Sequence, residues 1–247
     1  MSGLAPSLIV PDWPAPAAVR ACVTTREGGV SLPPYATLNL GDHVGDDAAA
    51  VAENRRRLSD IFGIRPAWLK QVHGLDVADA DPSQVAEADA SWTDQPGIAC
   101  TVMTADCLPV LFCDRAGTRV AAAHAGWRGL AGGVLEATLE RLALAPEDVL
   151  VWLGPAIGPQ AFEVGLEVRE AFTAQHPEAA AAFVPGERPG KLMADIYTLA
   201  RIRLAARGIT AIYGGGFCTV SDPRFFSYRR TPQGGRFASL VWLAPLA

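Results

Sequence analysis

The sequence predicts one α/β domain in which strands and helices intermix along the whole chain. Short apolar runs of strand length recur between residues 21 and 243, and amphipathic segments with helical spacing separate several of them. The chain has 247 residues and is 50% hydrophobic, which is ample for a sizeable core. Its proline- and glycine-rich segments are too short to be linkers. The predicted domain therefore spans residues 1–247.

The first predicted elements are a strand at 21–25 and a helix at 48–62, joined by a long loop that contains Gly-Gly and Pro-Pro pairs. The helix has apolar residues at helical spacing, with Asp46 or Asp47 as its N-cap and Gly63 at its end. Further strands are predicted at 68–72, 98–103, 108–113, 120–123, 149–153, 210–213 and 237–243. Further helices are predicted at 130–142, 166–175 and 193–207.

Charge and composition argue against several classes of protein. The net charge is −5, and no basic stretch exceeds Arg55-Arg56-Arg57, so a nucleic-acid partner is not expected. The longest apolar stretch, 98–113, contains Asp106 and Pro109, so no membrane span is expected. Five cysteines without a Cys-x-x-Cys pair, and the lack of an apolar leader, predict a cytoplasmic protein with reduced thiols.

Three residues have the chemistry of a catalytic metal site: His73, Cys107 and His124. They lie in QVHG, TADCLP and AHAGWRG, each at a point where an apolar run ends and small or polar residues begin. Two imidazoles and a thiolate are ligands that zinc takes, and three ligands leave one tetrahedral position open for water. The residues are far apart in sequence, so only folding could bring them together. The alternative is that Cys107 is simply buried, as cysteines often are.

Arginines at two further segments are candidate anion ligands. In AHAGWRG, two glycines flank Trp127-Arg128 between a strand and a helix, where backbone amides and the Arg128 fork could approach phosphate or carboxylate. Equally, Trp127 could pack into the core while Arg128 pairs with a structural carboxylate. In FFSYRR, Arg229 or its neighbour could point inward, or both could be surface charges. His43 is open to a role in the site or on the surface.

The sequence resembles the bacterial laccase-domain family, also described as multicopper polyphenol oxidase-like, purine nucleoside phosphorylase-like and peptidoglycan editing factor. The matching segments, which cover nearly the whole chain, are Asn39-Leu40-Gly41 with His43 and Gly45-Asp46, Asn54-Arg55, QVHG at 71–74, TADCLP at 104–109, HAGWRG at 124–129, LGPAIG at 153–158, Cys218-Thr219 and FSYRR at 226–230. The resemblance implies that His73, Cys107 and His124 bind a catalytic zinc. It also implies mixed β-sheets sandwiched between helix layers (α/β/β/α), similar to the deamidase domain of cytotoxic necrotizing factor.

The family's reported activities differ in chemistry. They are phosphorolysis of adenosine, inosine and methylthioadenosine, deamination of adenosine, copper-dependent phenol oxidation, and removal of misincorporated serine from peptidoglycan precursors. A four-copper laccase needs roughly ten histidines, whereas this chain has four. Copper on the same ligands, with Met103 nearby, is therefore interpreted as the source of a side activity. Zinc-bound water, with its pKa lowered to about 7, suits attack at C6 of adenine.

Asp106 and Arg55 are the predicted catalytic residues. Asp106 adjoins Cys107 and is the candidate proton shuttle, although a carboxylate that holds a ligand histidine or a backbone turn is an equal alternative. Phosphorolysis needs an anion pocket, for which Arg55, Arg128 and Arg229 are the candidates.

Asn39 and His43 are predicted to contact the sugar or the base, so the expected partners are a purine nucleoside and phosphate. The competing function, cleavage of an amide bond to serine in muramyl precursors, could use the same three metal ligands. A purine-sized pocket with an aromatic stacking partner would favour nucleosides, and a long open groove would favour cell-wall precursors. A non-catalytic metal-binding protein would need a fourth ligand, for which Cys218 is the only obvious residue. The oligomeric state is left open.

Overall fold

The computed structural model describes residues 7–245, which form sixteen strands and five α-helices. The strands in chain order are β1 Leu8–Ile9, β2 Val19–Thr24, β3 Arg65–Ala67, β4 Leu69–Lys70, β5 Val77–Asp79, β6 Ala86–Glu87, β7 Ala90–Thr93, β8 Ile98–Thr104, β9 Leu108–Asp114, β10 Val120–Ala125, β11 Val149–Leu153, β12 Glu163–Gly165, β13 Phe183–Pro185, β14 Lys191–Ala194, β15 Ile212–Gly214 and β16 Phe237–Leu243. The helices are α1 Ala48–Phe62, α2 Trp127–Gly132, α3 Val134–Leu142, α4 Leu166–Thr173 and α5 Ile196–Ala206. Short 3-10 helices occupy Pro146–Asp148 and Pro177–Ala182.

Two large mixed sheets form the body of the fold. The first has the strand order β1-β2-β16-β8-β3 and is antiparallel except at its β3–β8 edge. The second has the order β15-β11-β9-β10-β7-β5, antiparallel in the centre and parallel at both edges. Small sheets, β12-β14-β13 and β4-β6, flank them. This is the mixed α/β fold class that the sequence predicts.

The two large sheets pack face to face, with helices on their outer faces. Strand β9 illustrates why, because its side chains alternate between two cores. Leu111 and Cys113 join the core between the sheets, whereas Val110 and Phe112 pack against α2 to α5. On the other outer face, Leu58 of α1 joins a third core with residues of β8 and β16. The order of layers is therefore helix, sheet, sheet, helix, as the resemblance implies.

Helix α1 has the predicted bounds and the predicted caps. The Asp47 carboxylate accepts hydrogen bonds from the amides of Ala49 and Ala50 at 2.7 and 3.1 Å, which satisfies two amides that lack partners within the helix. Gly63 ends the helix in the left-handed conformation, with φ 61°. No helix within residues 7–245 is both long and apolar enough to cross a membrane.

Several predicted elements have other bounds in the structure, and for three of them the cause is clear. The helix predicted at 193–207 begins at Ile196, because Met193 and Ala194 pair within the small sheet β12-β14-β13. The helix predicted at 130–142 is two helices that meet at Gly133, whose φ is 113°. The strand predicted at 68–72 is reduced to β4, because the amide of Val72 donates to a carboxylate instead of a neighbouring strand.

Strands β5, β7, β12, β13 and β14 were not predicted. Each is only three or four residues long, and several contain charged or small residues in place of an apolar run. Such short strands carry little periodicity of their own and form because neighbouring strands supply their partners.

Candidate metal and substrate site

A cavity of about 440 Å³ opens where β8 ends, β9 begins and β10 ends. This volume is within the range of ligand pockets in proteins. Apolar and aromatic side chains form nearly half of its lining, and polar or ionisable side chains form the rest. The lining residues are His43, Gln71, His73, Met103, Thr104, Ala105, Asp106, Cys107, His124, Trp127, Ile157, Phe162, Ile196, Tyr228, Arg229 and Arg236.

The three predicted metal ligands meet in this cavity. One ligand atom each from His73, Cys107 and His124 lie within 4.8 Å of one another. The Cys107 Sγ is 3.8 Å from His73 Nε2, and the two imidazole rings are 4.7 Å apart, nearly perpendicular at 76°. The sheet explains part of this arrangement, because the β9–β10 register pairs Ala125 with Leu108, the neighbour of Cys107. These side chains could hold a metal ion.

Asp89 connects two of these side chains. Its carboxylate accepts hydrogen bonds from the amides of Val72, His73 and Gly74 at 3.1, 2.9 and 2.6 Å, and from His124 Nδ1 at 2.7 Å. Its carbonyl oxygen also accepts from the His124 amide at 2.7 Å. With Nδ1 protonated toward Asp89, the Nε2 lone pair of His124 is left for a ligand. Asp89 thus fixes the tautomer of one histidine and the backbone of the other.

Backbone strain is concentrated at this site. Within residues 7–245, three residues other than glycine have positive φ: His73 at 61°, Asp106 at 96° and Ala143 at 52°. Two of the three line the cavity. Such conformations cost about 1–3 kcal/mol each and persist where the surrounding contacts hold them. The Asp89 carboxylate supplies such contacts to the turn at His73.

Gly126, the N-cap of α2, leaves space for the three side chains. A Cβ at this position would lie 2.7 Å from His73 Cδ2 and 3.1 Å from Cys107 Sγ. Both distances are too short for an unstrained contact. The glycine is therefore required by close approach, since its own φ of −61° is open to any residue.

The charges within the group favour the thiolate form of Cys107, and they also strengthen the binding of a proton to His124, which a metal ion would replace. Burial opposes ionisation of Cys107, but the charge of His124 and hydrogen bonds from both histidines lower the pKa of Cys107 from 9.0 to about 6. Burial also opposes the charged form of His124, but the Cys107 thiolate and Asp89 raise the pKa of His124. The thiolate is the form that binds metals. A thiolate with two imidazoles suits zinc or copper.

We call His73, Asp89, Cys107 and His124 the ligand side, and His43, Tyr228, Arg229 and Arg236 the arginine side. On the arginine side, the side chain of His43 is 55% exposed, with Nδ1 3.5 Å from Asp42. Burial and Arg236 lower the pKa of His43 against the opposing effect of Asp42, so the imidazole is neutral at pH 7.

Asp106 lines the cavity but has a structural task. Its Oδ1 accepts from Thr219 Oγ1 at 2.6 Å, and its Oδ2 accepts from the Arg229 amide at 2.7 Å. Its carbonyl oxygen accepts from the Ile157 amide at 2.9 Å. The carboxylate therefore holds the turn that carries Arg229, which is the alternative role that the sequence left open.

Asn39, predicted to contact the sugar or the base, does not reach the cavity. It is fully buried, and its amide donates to Gly41 O and to Asp46 Oδ2 at 3.0 and 2.9 Å. Its Oδ1 accepts from the amides of Gly41 and Arg236 at 2.9 and 2.8 Å. Because these bonds use the whole side chain, Asn39 organises the segment that carries Arg236.

Two predicted phosphate ligands also lie outside the lining. The guanidinium of Arg55 stacks 4.1 Å above the Trp68 ring, and its Nε donates to Leu40 O at 2.9 Å. Arg128 is exposed and lies 4.4 Å above the ring of Trp127. Of the three predicted arginines, Arg229 alone lines the cavity, while Trp127 lines it and leaves Arg128 outside.

Asp89 is the main residue that the sequence analysis missed. It is a single acid between two alanines, immediately before β7. Only the pairing of strands β7 and β10 shows that Asp89 belongs to the site. Their register places Ala90 beside Ala123 and so brings Asp89 to His124. The aromatic lining by Phe162 and Tyr228 was likewise not predicted, since their segments are distant in sequence.

Known proteins resemble this chain over most of its length. The family model described as multi-copper polyphenol oxidoreductase laccase matches residues 20–244. A Pseudomonas aeruginosa protein named purine nucleoside phosphorylase is 69% identical over 236 residues, which cover 95% of this chain and 98% of that protein. The Escherichia coli protein named purine nucleoside phosphorylase YfiH is 58% identical over 241 residues, covering 96% of this chain and 98% of that protein.

Solved structures agree with the fold. A protein of Neisseria meningitidis superimposes with a TM-score of 0.94 at 52% identity, covering 96% of this chain and 99% of that one. YlmD from Geobacillus stearothermophilus superimposes with a TM-score of 0.86 at 33% identity, covering 93% of each chain. The names of the relatives and of the family indicate an enzyme. The chain belongs to the multi-copper polyphenol oxidoreductase laccase family, as its sequence motifs predict.

Proposed function

We propose that this protein is a zinc-dependent purine nucleoside enzyme that phosphorolyses adenosine, inosine and methylthioadenosine and deaminates adenosine. The observation that carries the proposal is the aromatic cavity beside the three ligand residues. Relatives at 58% and 69% identity are named purine nucleoside phosphorylases, which supports the same substrate class.

The aromatic lining suits a purine base. Trp127, Phe162 and Tyr228 line the cavity, and Tyr228 is 56% exposed, so part of its ring is free to pack against a ligand. Aromatic rings stack on the flat faces of bases. A cavity of about 440 Å³ also favours a compact nucleoside over the extended chain of a cell-wall precursor.

Phosphorolysis exchanges one bond for another at the ribose C1′. A phosphate oxygen forms a bond to C1′ while the C1′–N9 bond breaks. The electron pair of the C1′–N9 bond goes to the purine, which also takes up a proton. Arg229 lines the cavity and is the proposed phosphate ligand; its Nη2 donates to Glu163 O at 3.2 Å, and its other guanidinium donors are proposed to bind the anion. The neutral imidazole of His43 can exchange hydrogen bonds with the sugar or the base.

The residues that would hold zinc are His73, Cys107 and His124. Bound there, zinc would supply a Lewis acid that polarises a substrate atom and lowers the pKa of water. Asp89 keeps the Nε2 lone pair of His124 directed at the ligand position. Copper on these same donors would account for a laccase-like side activity.

Deamination also needs a proton shuttle, and Asp106 is the proposed group. It lies in the cavity wall next to Cys107. Each of its oxygens already accepts one hydrogen bond, from Thr219 and from Arg229. A carboxylate has about four acceptor positions. Asp106 therefore keeps the capacity to take a proton from substrate.

Metal analysis and phosphate-dependent release of hypoxanthine from inosine test the proposal together. We expect about one zinc per chain in the wild type, and loss of both zinc and activity in Cys107→Ala. The several kcal/mol that a catalytic metal contributes correspond to a loss on the order of 10³-fold. Cys218→Ala is the matched control, since Cys218 is partly exposed but lies outside this cavity.

Two outcomes would contradict the proposal. Activity that survives in zinc-free Cys107→Ala would remove the metal from the reaction. Zinc bound without reaction on inosine or adenosine would mean that the substrate is different, and muramyl-serine precursors would then be tested.

A further inference from the structure

Arg236 is a largely buried cation in the cavity wall. One of its terminal nitrogens, Nη1, donates to the carbonyl oxygens of Gly234 and Gly235 at 3.1 and 3.0 Å. No carboxylate oxygen within residues 7–245 lies within 4.0 Å of its guanidinium. Arg55 and Arg203 are paired, with Asp42 at 3.4 Å and Glu136 at 2.7 Å, whereas Arg26, Arg119 and Arg201 are partly buried and donate to backbone carbonyl oxygens as Arg236 does. What distinguishes Arg236 from these three unpaired arginines is its position, because it lines the cavity and only its Nη1 donates to backbone oxygens.

Arg236 lines the cavity, and its guanidinium carbon lies 6.0 Å from the centre of the Tyr228 ring, which lines the same cavity. Burial lowers the pKa of Arg236, and the negative charges of Cys107 and Asp106 act on it in the opposite direction. The backbone of Gly41 packs closely against the aliphatic part of the Arg236 side chain, since a Cβ at Gly41 would lie 2.8 Å from Arg236 Cγ. The Arg236 amide is held by Asn39 Oδ1 at 2.8 Å. The fold thus places this cation by several independent contacts.

A second unsatisfied polar group lies in the same wall. Thr104 is 2% exposed, and its Oγ1 is buried without a hydrogen-bond partner in the part of the chain that the structure describes. Thr104 lines the cavity, and the β8–β16 register pairs it with Phe237, the neighbour of Arg236. A buried hydroxyl without a partner is destabilising unless a ligand or water satisfies it.

We propose that Arg236 and the Thr104 hydroxyl form an oxyanion subsite, which binds the phosphate that attacks C1′ in nucleoside cleavage. The inference rests on the proposed function for the identity of the anion. The guanidinium fork matches the geometry of phosphate and of carboxylate, and the threonine hydroxyl donates to the same class of oxygen. Arg229 lines the same cavity and adds positive charge.

Calorimetric titration of the metal-loaded protein with inorganic phosphate tests the subsite without turnover. We expect Arg236→Met to weaken phosphate binding by about 10- to 100-fold, because a charge-assisted fork is lost. Arg236→Lys keeps the charge without the fork and should weaken binding by about 3- to 10-fold. Thr104→Val should weaken it by about 3- to 10-fold through one lost hydrogen bond. Arg56→Met is the matched control, since Arg56 is exposed on α1 and pairs with Glu53 and Asp60.

Steady-state kinetics give a second measurement. In Arg236→Lys, we expect the KM for phosphate to rise by the same factor as the dissociation constant, while the KM for inosine stays within about twofold. If Arg236→Met does not fold, Arg236→Lys and Thr104→Val still decide the matter. Equal phosphate affinity in the wild type and in these two variants would overturn the subsite.

The remaining outcomes separate the subsite from the proposed function. If the wild type neither cleaves inosine nor binds phosphate, but binds a carboxylate-bearing muramyl peptide that Arg236→Lys binds more weakly, the subsite stands and the proposed function fails. If the wild type binds neither phosphate nor that carboxylate, the subsite is overturned. If it cleaves inosine and phosphate binding does not depend on Arg236, the proposed function stands alone.

Discussion

The ligand side and the arginine side of the cavity are built in different ways. On the ligand side, Asp89 is fully buried, His124 is 3% exposed, and the Asp89 carboxylate accepts four hydrogen bonds. On the arginine side, His43 and Tyr228 are more than half exposed, and Arg236 is held by backbone carbonyls. His73 is exposed like the residues of the arginine side, but the Asp89 carboxylate holds its backbone amide, so the ligand side is braced before any ligand arrives. We therefore expect variants on the ligand side to change metal binding and variants on the arginine side to change substrate binding.

Replacing Asp89 should have the largest effect on this comparison, because it removes the brace of the ligand side. In Asp89→Ala, the amides of Val72, His73 and Gly74 lose their acceptor and His124 loses the group that fixes its tautomer. We expect metal affinity to fall by about 10- to 100-fold and the free energy of unfolding to fall by about 2–4 kcal/mol. Competition with a chelator and urea unfolding measure the two effects.

The control for Asp89→Ala is Asp81→Ala, which removes an exposed carboxylate that accepts the amide of Ser83 in a surface turn. Metal affinity in Asp89→Ala within about twofold of the wild type would mean that the ligand side does not depend on this brace.

The pH dependence of thiol alkylation tests the electrostatics of the ligand side. In metal-free protein, Cys107 with a pKa of about 6 becomes thiolate as the pH rises through 6. Cys22, Cys100 and Cys113 are buried, and burial raises the pKa of each to about 12. In a Cys218→Ser background, iodoacetamide should react about tenfold faster at pH 7 than at pH 5, in proportion to the thiolate fraction.

Cys107→Ser in the same background should abolish this reaction, and added zinc should slow it. A midpoint near the ordinary thiol pKa of 9.0 would show that the histidines do not stabilise the thiolate.

On the arginine side, Tyr228→Ala should act on binding and not on chemistry. Its exposed ring is free to stack on the base. Loss of about 1 kcal/mol of stacking energy should raise the KM for inosine about five- to tenfold. The kcat should stay within about twofold, because no reacting group is removed. Tyr228→Phe keeps the ring and should behave as the wild type. A large loss of kcat in Tyr228→Ala would mean that the two sides are not separable.

The smallest effect is expected for Arg128→Ala. The Arg128 guanidinium stacks on Trp127 outside the cavity. This contact contributes about 0.5–1 kcal/mol. Without it the Trp127 ring is held less firmly in the cavity wall, so the KM for inosine should rise about two- to fivefold. The KM for phosphate should change by no more than this. A tenfold or larger rise in the KM for phosphate would show that Arg128 reaches the anion, as its sequence setting suggests.

Local sequence signals predicted the parts of the fold that depend on local physics. Helix α1 has its predicted bounds because Asp47 and Gly63 are both strong terminal signals. Strand β16 has its predicted bounds because all of its residues except Ser239 are apolar. The start of α5 was wrong because Met193 and Ala194 suit a helix as well as a strand, and only pairing within the small sheet decided between them.

Contacts between residues distant in sequence also limited what could be predicted of the site. His73, Cys107 and His124 could be proposed together because few residue types bind metals, and the structure places them in one group. Arginines are common on any surface, and nothing in the motifs distinguished Arg55, which stacks on Trp68, from Arg236, which lines the cavity. Whether a guanidinium faces a ligand depends on contacts that are distant in sequence, such as the bond from the Arg236 amide to Asn39.

Gly126 gives a way to judge relatives of this protein. A chain could keep all three ligand residues and still lose the site, because any side chain at this position would press on His73 and Cys107. A homologue with alanine there would be expected to share the fold but not the activity. Shared function across the family should therefore be inferred from glycine at position 126 as well as from the three ligand residues. A search for ligand residues alone would overlook this requirement.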